Sequence, residues 1–307
     1  MKTAEPLPIR LITHNIRYAT TNPFEGEERW DIRKPRLLAE LRFHTLYSPA
    51  AFICLQEALH AQLLDILSGL NSPPNALLSA SGVSEWAYTG VGRDDGGQLG
   101  EYSPIIYRPS VWSICYSNTI WLSETPGIPG SKSWDAASPR ILTIGIFKHR
   151  QSGHCVAAMN THLDDQGVIS RLHAATTIVS EIERLLKGRY SPSSVPVLLA
   201  GDFNSESDGE AYRLLSASSS PVQDMRDLTT AEQRYGDQNT YTGFGCEGER
   251  RTRIDFLFLD REKQGQDEGM NPPRWCVKGY AVLENQFEDG VFCSDHRAVI
   301  GDVELNW

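Results

Sequence analysis

The sequence predicts an α/β fold in one domain, residues 1–307, with two β-sheets packed together and helices outside. Three observations point there. Short runs rich in β-branched residues recur from end to end, each bounded by Gly, Pro, Asn or Asp. Amphipathic helical stretches lie among them. No clear linker divides the chain, and 307 residues are enough for one large domain.

In chain order, strands are expected over 9–13, 51–55, 103–107, 141–147, 155–160, 195–200, 254–259 and 298–305. Helices are expected over 33–42, 59–70 and 168–186. The last carries Leu172, Ala175, Ile178, Val179, Ile182 and Leu185 at helical spacing. Residues 191–196 and 264–273 read as polar loops, and 216–221 as a serine-rich turn. No internal repeat is evident.

Composition is that of an ordinary globular protein, 40% hydrophobic and 22% charged, so a core forms without staples. The formal net charge of −10 argues against a dedicated duplex-DNA binder, which shows a basic face. A local basic cluster or a bound metal ion can still hold phosphates. Six cysteines occur without a Cys-x-x-Cys motif. Cys54 and Cys155 lie in apolar runs, where free thiols pack as small hydrophobes. Cys293, near Asp295, lines the site or packs. The N-terminus has no apolar h-region, and no apolar run approaches the ~20 residues of a membrane span. The expectation is a soluble, intracellular and cytoplasmic monomer, with no membrane association and no protein partner legible.

The chemistry concentrates at the ends of apolar runs. Asn15 ends Arg10–His14, and Glu57 follows Phe52–Gln56. A carboxylate just past a buried strand is held rigidly at its rim, where a site is well placed; the alternative is a helix N-cap. Val195–Asn204 runs into Gly201, Asp202 and Asn204. On extended chain, Asp202 and Asn204 would point to one side. The carboxylate could take a proton from water and the amide could donate to an oxyanion; the alternative is an Asx turn. Asp255 lies within Arg253–Phe258, where a buried carboxylate needs a partner, and His296 of Ser294–His296 is the natural one. Asp295 points elsewhere and could bind metal.

These residues resemble the endonuclease/exonuclease/phosphatase superfamily, whose fold is that of pancreatic deoxyribonuclease. The resemblance spans nearly the whole chain. It rests on Thr13–Asn15, Leu55–Glu57, Asn160–His162, Gly201–Asn204, Arg253–Asp255 and Ser294–His296, six motifs in the family's order. It implies a four-layer α/β (α+β) sandwich of two packed mixed sheets flanked by helices. It also implies a metal-dependent phosphodiesterase acting through direct attack of an activated water.

Carried over by motif, Glu57 would be the principal metal ligand, with Asn15 and Asp295 nearby. Asp202 would position or deprotonate the water, and Asn204 and Asn160 would hold phosphate oxygens. His296, paired with Asp255, would stabilise the transition state. His162 would be a second imidazole on the phosphate, partnered by Glu101, and Arg140 resembles a phosphate-contacting arginine. The all-oxygen donor set favours Mg²⁺ or Mn²⁺, since no Cys or His cluster has zinc spacing.

Arg93–Tyr102 reads as a Gly-rich loop carrying Arg93 and Tyr102 toward substrate, or as a plain hairpin. Gly248–Arg253 is the best basic cluster, a guide for a polyanion or a solvated face. Trp30, Trp121, Trp134 and Tyr241 are candidates for base stacking, with core packing as the alternative. Segments 121–126 and 160–167, with Trp134 and Asp135, resemble a bacterial and fungal subgroup. The leading reading is cleavage of nucleic acid. The alternative is hydrolysis of a small phosphoester such as a sugar phosphate, nucleotide, inositol phosphate or lipid headgroup. A non-catalytic binding module is a third class, disfavoured by the intact set of site residues.

Overall fold

The computed structural model describes residues 5–72, 85–188, 194–261 and 274–306. The expected loop at 264–273 and the first half of the one at 191–196 fall outside them. Among the described residues, thirteen strands form two sheets. The first contains β1 (Leu7–Asn15), β2 (Phe52–Gln56), β3 (Ala87–Thr89), β4 (Ile105–Tyr107), β10 (Arg234–Gly236), β12 (Trp275–Val282) and β13 (Val299–Leu305). The second contains β5 (Trp112–Trp121), β6 (Ile141–His149), β7 (Cys155–His162), β8 (Val197–Asp202), β9 (Val222–Asp224) and β11 (Asp255–Asp260). Their orders are β10-β12-β13-β1-β2-β4-β3 and β5-β6-β7-β8-β11-β9. Both are mixed: β1 runs parallel to β2, and β7 runs parallel to β8.

The helices are α1 (Trp30–Thr45), α2 (His60–Asn71), α3 (Val168–Leu186) and α4 (Glu210–Ser216). Leu37, Leu41, Leu63 and Ile66 place α1 and α2 against the outer face of the first sheet, with Ile12, Ile53 and Leu55. Ala175, Ile178, Ile182, Ala211 and Leu215 place α3 and α4 against the second, with Val197, Leu199, Phe256 and Phe258. The result is the expected four-layer sandwich.

Strand periodicity sets what lies between the sheets. Ile9 and Leu11 of β1, Phe52 and Cys54 of β2, Val156 and Ala158 of β7, Leu198 and Ala200 of β8, and Leu257 and Leu259 of β11 share one inter-sheet core. Continued by two residues, the same parity reaches Gln56, Asn160, Asp202 and Asp255, and by four in β1 it reaches Asn15. The inter-sheet layer is therefore apolar along most of its length and polar at one rim. Gly201 permits close approach there, because a Cβ would lie 2.4 Å from the Thr161 carbonyl oxygen.

Arg33 of α1 is fully buried and bridges the layers. It donates to the carbonyls of Ile16 (2.9 Å), Arg17 (3.1 Å), Glu28 (2.9 Å) and Cys293 (2.7 Å). Arg33→Met leaves these acceptors unpaired and is expected to cost about 3 kcal/mol or more. The check is a fall in the urea midpoint with an unchanged slope.

Candidate active site

Of the four non-glycine residues with positive φ among the described residues, Arg17 (55°), Glu57 (58°) and Asn204 (45°) flank the polar rim. Such conformations are costly and persist where the surroundings over-determine them. At Glu57 the chain turns sharply out of β2. Its Oε1 accepts from Asn15 Nδ2 (2.9 Å), and its Oε2 accepts from the Tyr18 N–H (3.1 Å). The Arg17 guanidinium lies 3.8 Å from Glu57.

Asn15 Nδ2 also donates to Asp202 Oδ2 (2.9 Å), tying the two sheets together. Asp202 Oδ2 stands 3.6 Å from His162 Nε2 and 3.7 Å from His296 Nε2, between two imidazoles. His296 Nδ1 is 2.9 Å from Asp255 Oδ2, the pairing expected from sequence. Burial opposes charge on His296, but Asp255, Asp202 and Asp295 outweigh it and hold its pKa well above the ordinary value. His296 is thus an imidazolium held between carboxylates. Asp202, Asp255 and His296 converge closely enough to suggest a cation site. The protonated ring has no lone pair to offer, so they read better as an ion-paired triad.

The Asp295 loop is fixed by Ser294, whose Oγ donates to the Asn15 carbonyl (2.6 Å). Asn285 Nδ2 donates to the Ser294 carbonyl (2.8 Å). Burial, and then Glu57, push the Asp295 carboxyl up to about 6 against the opposing pull of His296 and Arg17. Burial and Asp255 likewise raise Asp202. The crowded carboxylates of Glu57 and Asp295 fit a hard divalent cation, while Asn15 turns its Nδ2 toward Glu57 and its Oδ1 accepts from the Arg17 N–H (3.0 Å), so it braces Glu57 in this structure.

Several expected roles change. Asn160 lies between the sheets, where its Nδ2 donates to the carbonyls of Leu55 and Pro104 (both 2.8 Å) and its Oδ1 accepts from Gln56 (2.7 Å). Both of its donors are occupied, so it has none for a phosphate. Asn204 is not on extended chain. Its left-handed turn sends Nδ2 to His162 Nε2 (3.0 Å) and the Leu163 carbonyl (2.9 Å), so it orients His162. Its N–H does close an Asx turn on Asp202 Oδ1 (2.9 Å). Glu101 makes a bidentate pair with Arg93 (2.7 and 2.8 Å), whose planar fork matches a carboxylate. It stays 3.7 Å from His162 Nδ1. Tyr102 points into the core, with its hydroxyl donating to the Gly97 carbonyl (2.8 Å).

Arg93, Glu101, Tyr102, Ser103, Arg140, Ile141 and His162 surround one narrow cleft, too tight in this structure to admit water, which His162 joins to Asp202. Burial, and next Arg140, lower His162 to about 4, so it faces the cleft as a neutral ring. Arg140 is anchored by Asp165 (2.6 Å) and Asp164 (3.4 Å), leaving Nη1 without a partner. Asp164 also accepts from the N–H groups of Gly167 (2.7 Å) and Ser138 (3.1 Å). Burial works to raise Asp164, but those N–H groups, with that of Ala137, and Arg140 prevail and hold it at about 2, below the ordinary 3.8. A depressed carboxylate stabilises the fold above its unfolded pKa and loses that contribution as pH falls through the folded one. Asp164→Asn is therefore expected to be less stable than wild type at neutral pH. The gap in melting temperature should close between about pH 4 and pH 2; a constant gap contradicts this.

Of the basic cluster, Arg253 is committed to Asp224 (2.6 Å) and lies over the rings of Phe256 and Tyr280. Arg250 pairs with Glu206 (2.8 Å). Among the aromatic candidates, Tyr241 packs edge-on against His296, with centroids 5.1 Å apart. Trp134 stacks on His173 (4.2 Å). Trp121 is buried, and Trp30 donates to Asp65 (2.8 Å). Arg17 was missed from sequence, although its place two residues after Asn15 was a signal.

This fold and site define a hydrolase of phosphoester bonds. The family model for the Endonuclease/Exonuclease/phosphatase family matches residues 12–296, and the chain belongs to that family, whose enzymes generally depend on divalent metal. Its fold is similar to that of a family protein from Bacteroides vulgatus, 29% identical, with TM-score 0.79 over 97% of this chain and 99% of that one. It is also similar to the mannosyl-6-phosphatase of Bacteroides thetaiotaomicron, 27% identical, TM-score 0.77, over 96% and 99%. TDP2 from D. rerio, complexed with a single-strand DNA product, is 18% identical, TM-score 0.67, over 96% and 98%. At that identity only the fold is shared. No curated protein sequence matches. Among the described residues, no helix is long and apolar enough to cross a membrane.

Proposed function

We propose that the protein hydrolyses a small phosphoester, such as a sugar phosphate, through a site that holds Mg²⁺ or Mn²⁺. The observation that carries the choice is the state of the arginines. Arg93, Arg140 and Arg253 are each held by a buried or half-buried carboxylate pair, Arg250 pairs with Glu206 at the surface, and Arg251 of the same cluster is exposed. With a formal charge of −10, that leaves little to track a polyanionic strand. The similarity to a mannosyl-6-phosphatase supports the same reading.

Glu57 and Asp295, with Asn15 beside Glu57, would hold the cation, which when bound would offset the charge of the phosphoryl group. Asp202 accepts the proton of the attacking water, its basicity raised by burial. The His296 imidazolium, held by Asp255, donates to a phosphoryl oxygen and stabilises the added negative charge. Arg140 Nη1 and the neutral His162, oriented by Asn204, supply further donors at the cleft. Glu101 holds Arg93 at its wall.

The nucleic-acid reading draws on His162 beside Glu101 with Arg140, a set that resembles the deoxyribonuclease branch of the family. Phosphate release from sugar phosphates, including mannose 6-phosphate, and from mononucleotides should be compared with cleavage of end-labelled DNA and RNA. Turnover of a small phosphoester with intact strands is expected. Strand cleavage without small-molecule turnover rejects the proposal in favour of a nuclease.

A further inference from the structure

Behind the candidate active site, His14 of β1, Glu40 of α1 and Cys293 of the loop before β13 meet in the interior. All three are buried, His14 and Cys293 completely. Each offers a donor atom, and these atoms lie within 4.8 Å of one another. His14 Nδ1 and Glu40 Oε1 are 3.0 Å apart, yet both lack a hydrogen-bond partner. On the far side of the ring, His14 Nε2 lies 3.2 Å from the His296 carbonyl oxygen, which can only accept. With Nε2 donating there, Nδ1 faces the Glu40 carboxylate, so either a proton or a cation lies between them. Two facing lone pairs in a dry interior require something positive between them.

We propose that His14, Glu40 and Cys293 bind a thiophilic divalent cation of the Zn²⁺ type, at a structural site separate from the hydrolytic one. One imidazole nitrogen, one carboxylate oxygen and one sulfur form a donor set that suits zinc and does not suit Mg²⁺. Tetrahedral zinc with ligands at ~2.0–2.1 Å places neighbouring N and O donors about 3.3 Å apart, close to the spacing observed. A ligating histidine usually donates its other ring N–H to a carbonyl, as His14 does toward His296. Arg33 holds the Cys293 backbone through its carbonyl. On binding, the Cys293 thiol gives its proton to solvent and the sulfur bonds to the metal. The ligands come from distant parts of the chain, so short-motif spacing does not reveal them. The ion would link β1 and α1 to the loop carrying Asp295 and His296, fixing the rim from behind.

The test is Co²⁺ binding to the purified full-length protein in excess Mg²⁺, followed by absorption. Wild type should take up one Co²⁺ with a near-ultraviolet sulfur-to-cobalt charge-transfer band. The band should vanish in Cys293→Ala and persist in Glu57→Gln, which alters the hydrolytic site alone. His14→Asn should weaken Co²⁺ binding by more than the ~10–100-fold typical of losing an outer partner. No band in folded wild type overturns the proposal and leaves a proton between His14 and Glu40. A band that survives Cys293→Ala, or that is lost in Glu57→Gln, also overturns it. None of these outcomes depends on turnover, so failure of the functional proposal is scored separately.

Discussion

Replacing His296 with alanine lowers kcat by roughly 100-fold or more, with a smaller change in KM. The ring is buried, lies 2.9 Å from Asp255 and stands 3.7 Å from Asp202, so its charge is fixed in place before substrate arrives. A preorganised donor of this kind acts where charge develops in the transition state, so its loss falls on kcat. The substitution also leaves Asp255 and Asp202 buried without their cation, so the variant should melt lower. Rates are therefore to be compared at a temperature where circular dichroism shows both proteins folded. A kcat near that of wild type removes His296 from the chemistry.

Asp202→Asn should be at least as severe, with a loss of about 10²–10⁴-fold in kcat. The amide is nearly isosteric and still offers an oxygen to the Asn204 N–H. It no longer accepts a proton from water. Substrate affinity should hardly change, because Arg140 and His162 remain. Equal losses in kcat and in affinity would mean that Asp202 binds substrate and does not activate water.

The chemistry was more legible than the frame that holds it. Motif order placed Glu57, Asp202, Asp255 and His296, and the structure brings them to one rim. They lie at strand ends, where polarity breaks an apolar run and stands out. The long strand β5 went unnoticed because its exposed outer positions interrupt the apolar pattern, with only Trp112 and Trp121 buried at its ends. Strand β12 was missed for a similar reason, since polar Lys278 and half-buried residues alternate with Val277 and Tyr280. Helix α3 matched its expected bounds because its apolar stripe is long and regular. Asn160, Tyr102 and Asn204 kept their places in the motifs but not their expected contacts. Which acceptor a buried amide or hydroxyl finds depends on neighbours far away in sequence, such as Gln56 for Asn160. Strand alternation likewise could not foresee the left-handed turn at Asn204.

On the proposed reading, Glu57 and Asp295, with Asn15 beside Glu57, hold the cation on which phosphoester hydrolysis depends. The direct measurement is phosphate release by metal-stripped enzyme as Mg²⁺ is restored, for wild type and Glu57→Gln side by side. Activity should be absent without metal. It should return in both, with the variant half-activated only at a Mg²⁺ concentration roughly tenfold or more above that of wild type. Full activity without metal, or identical metal curves for the two proteins, would contradict the account.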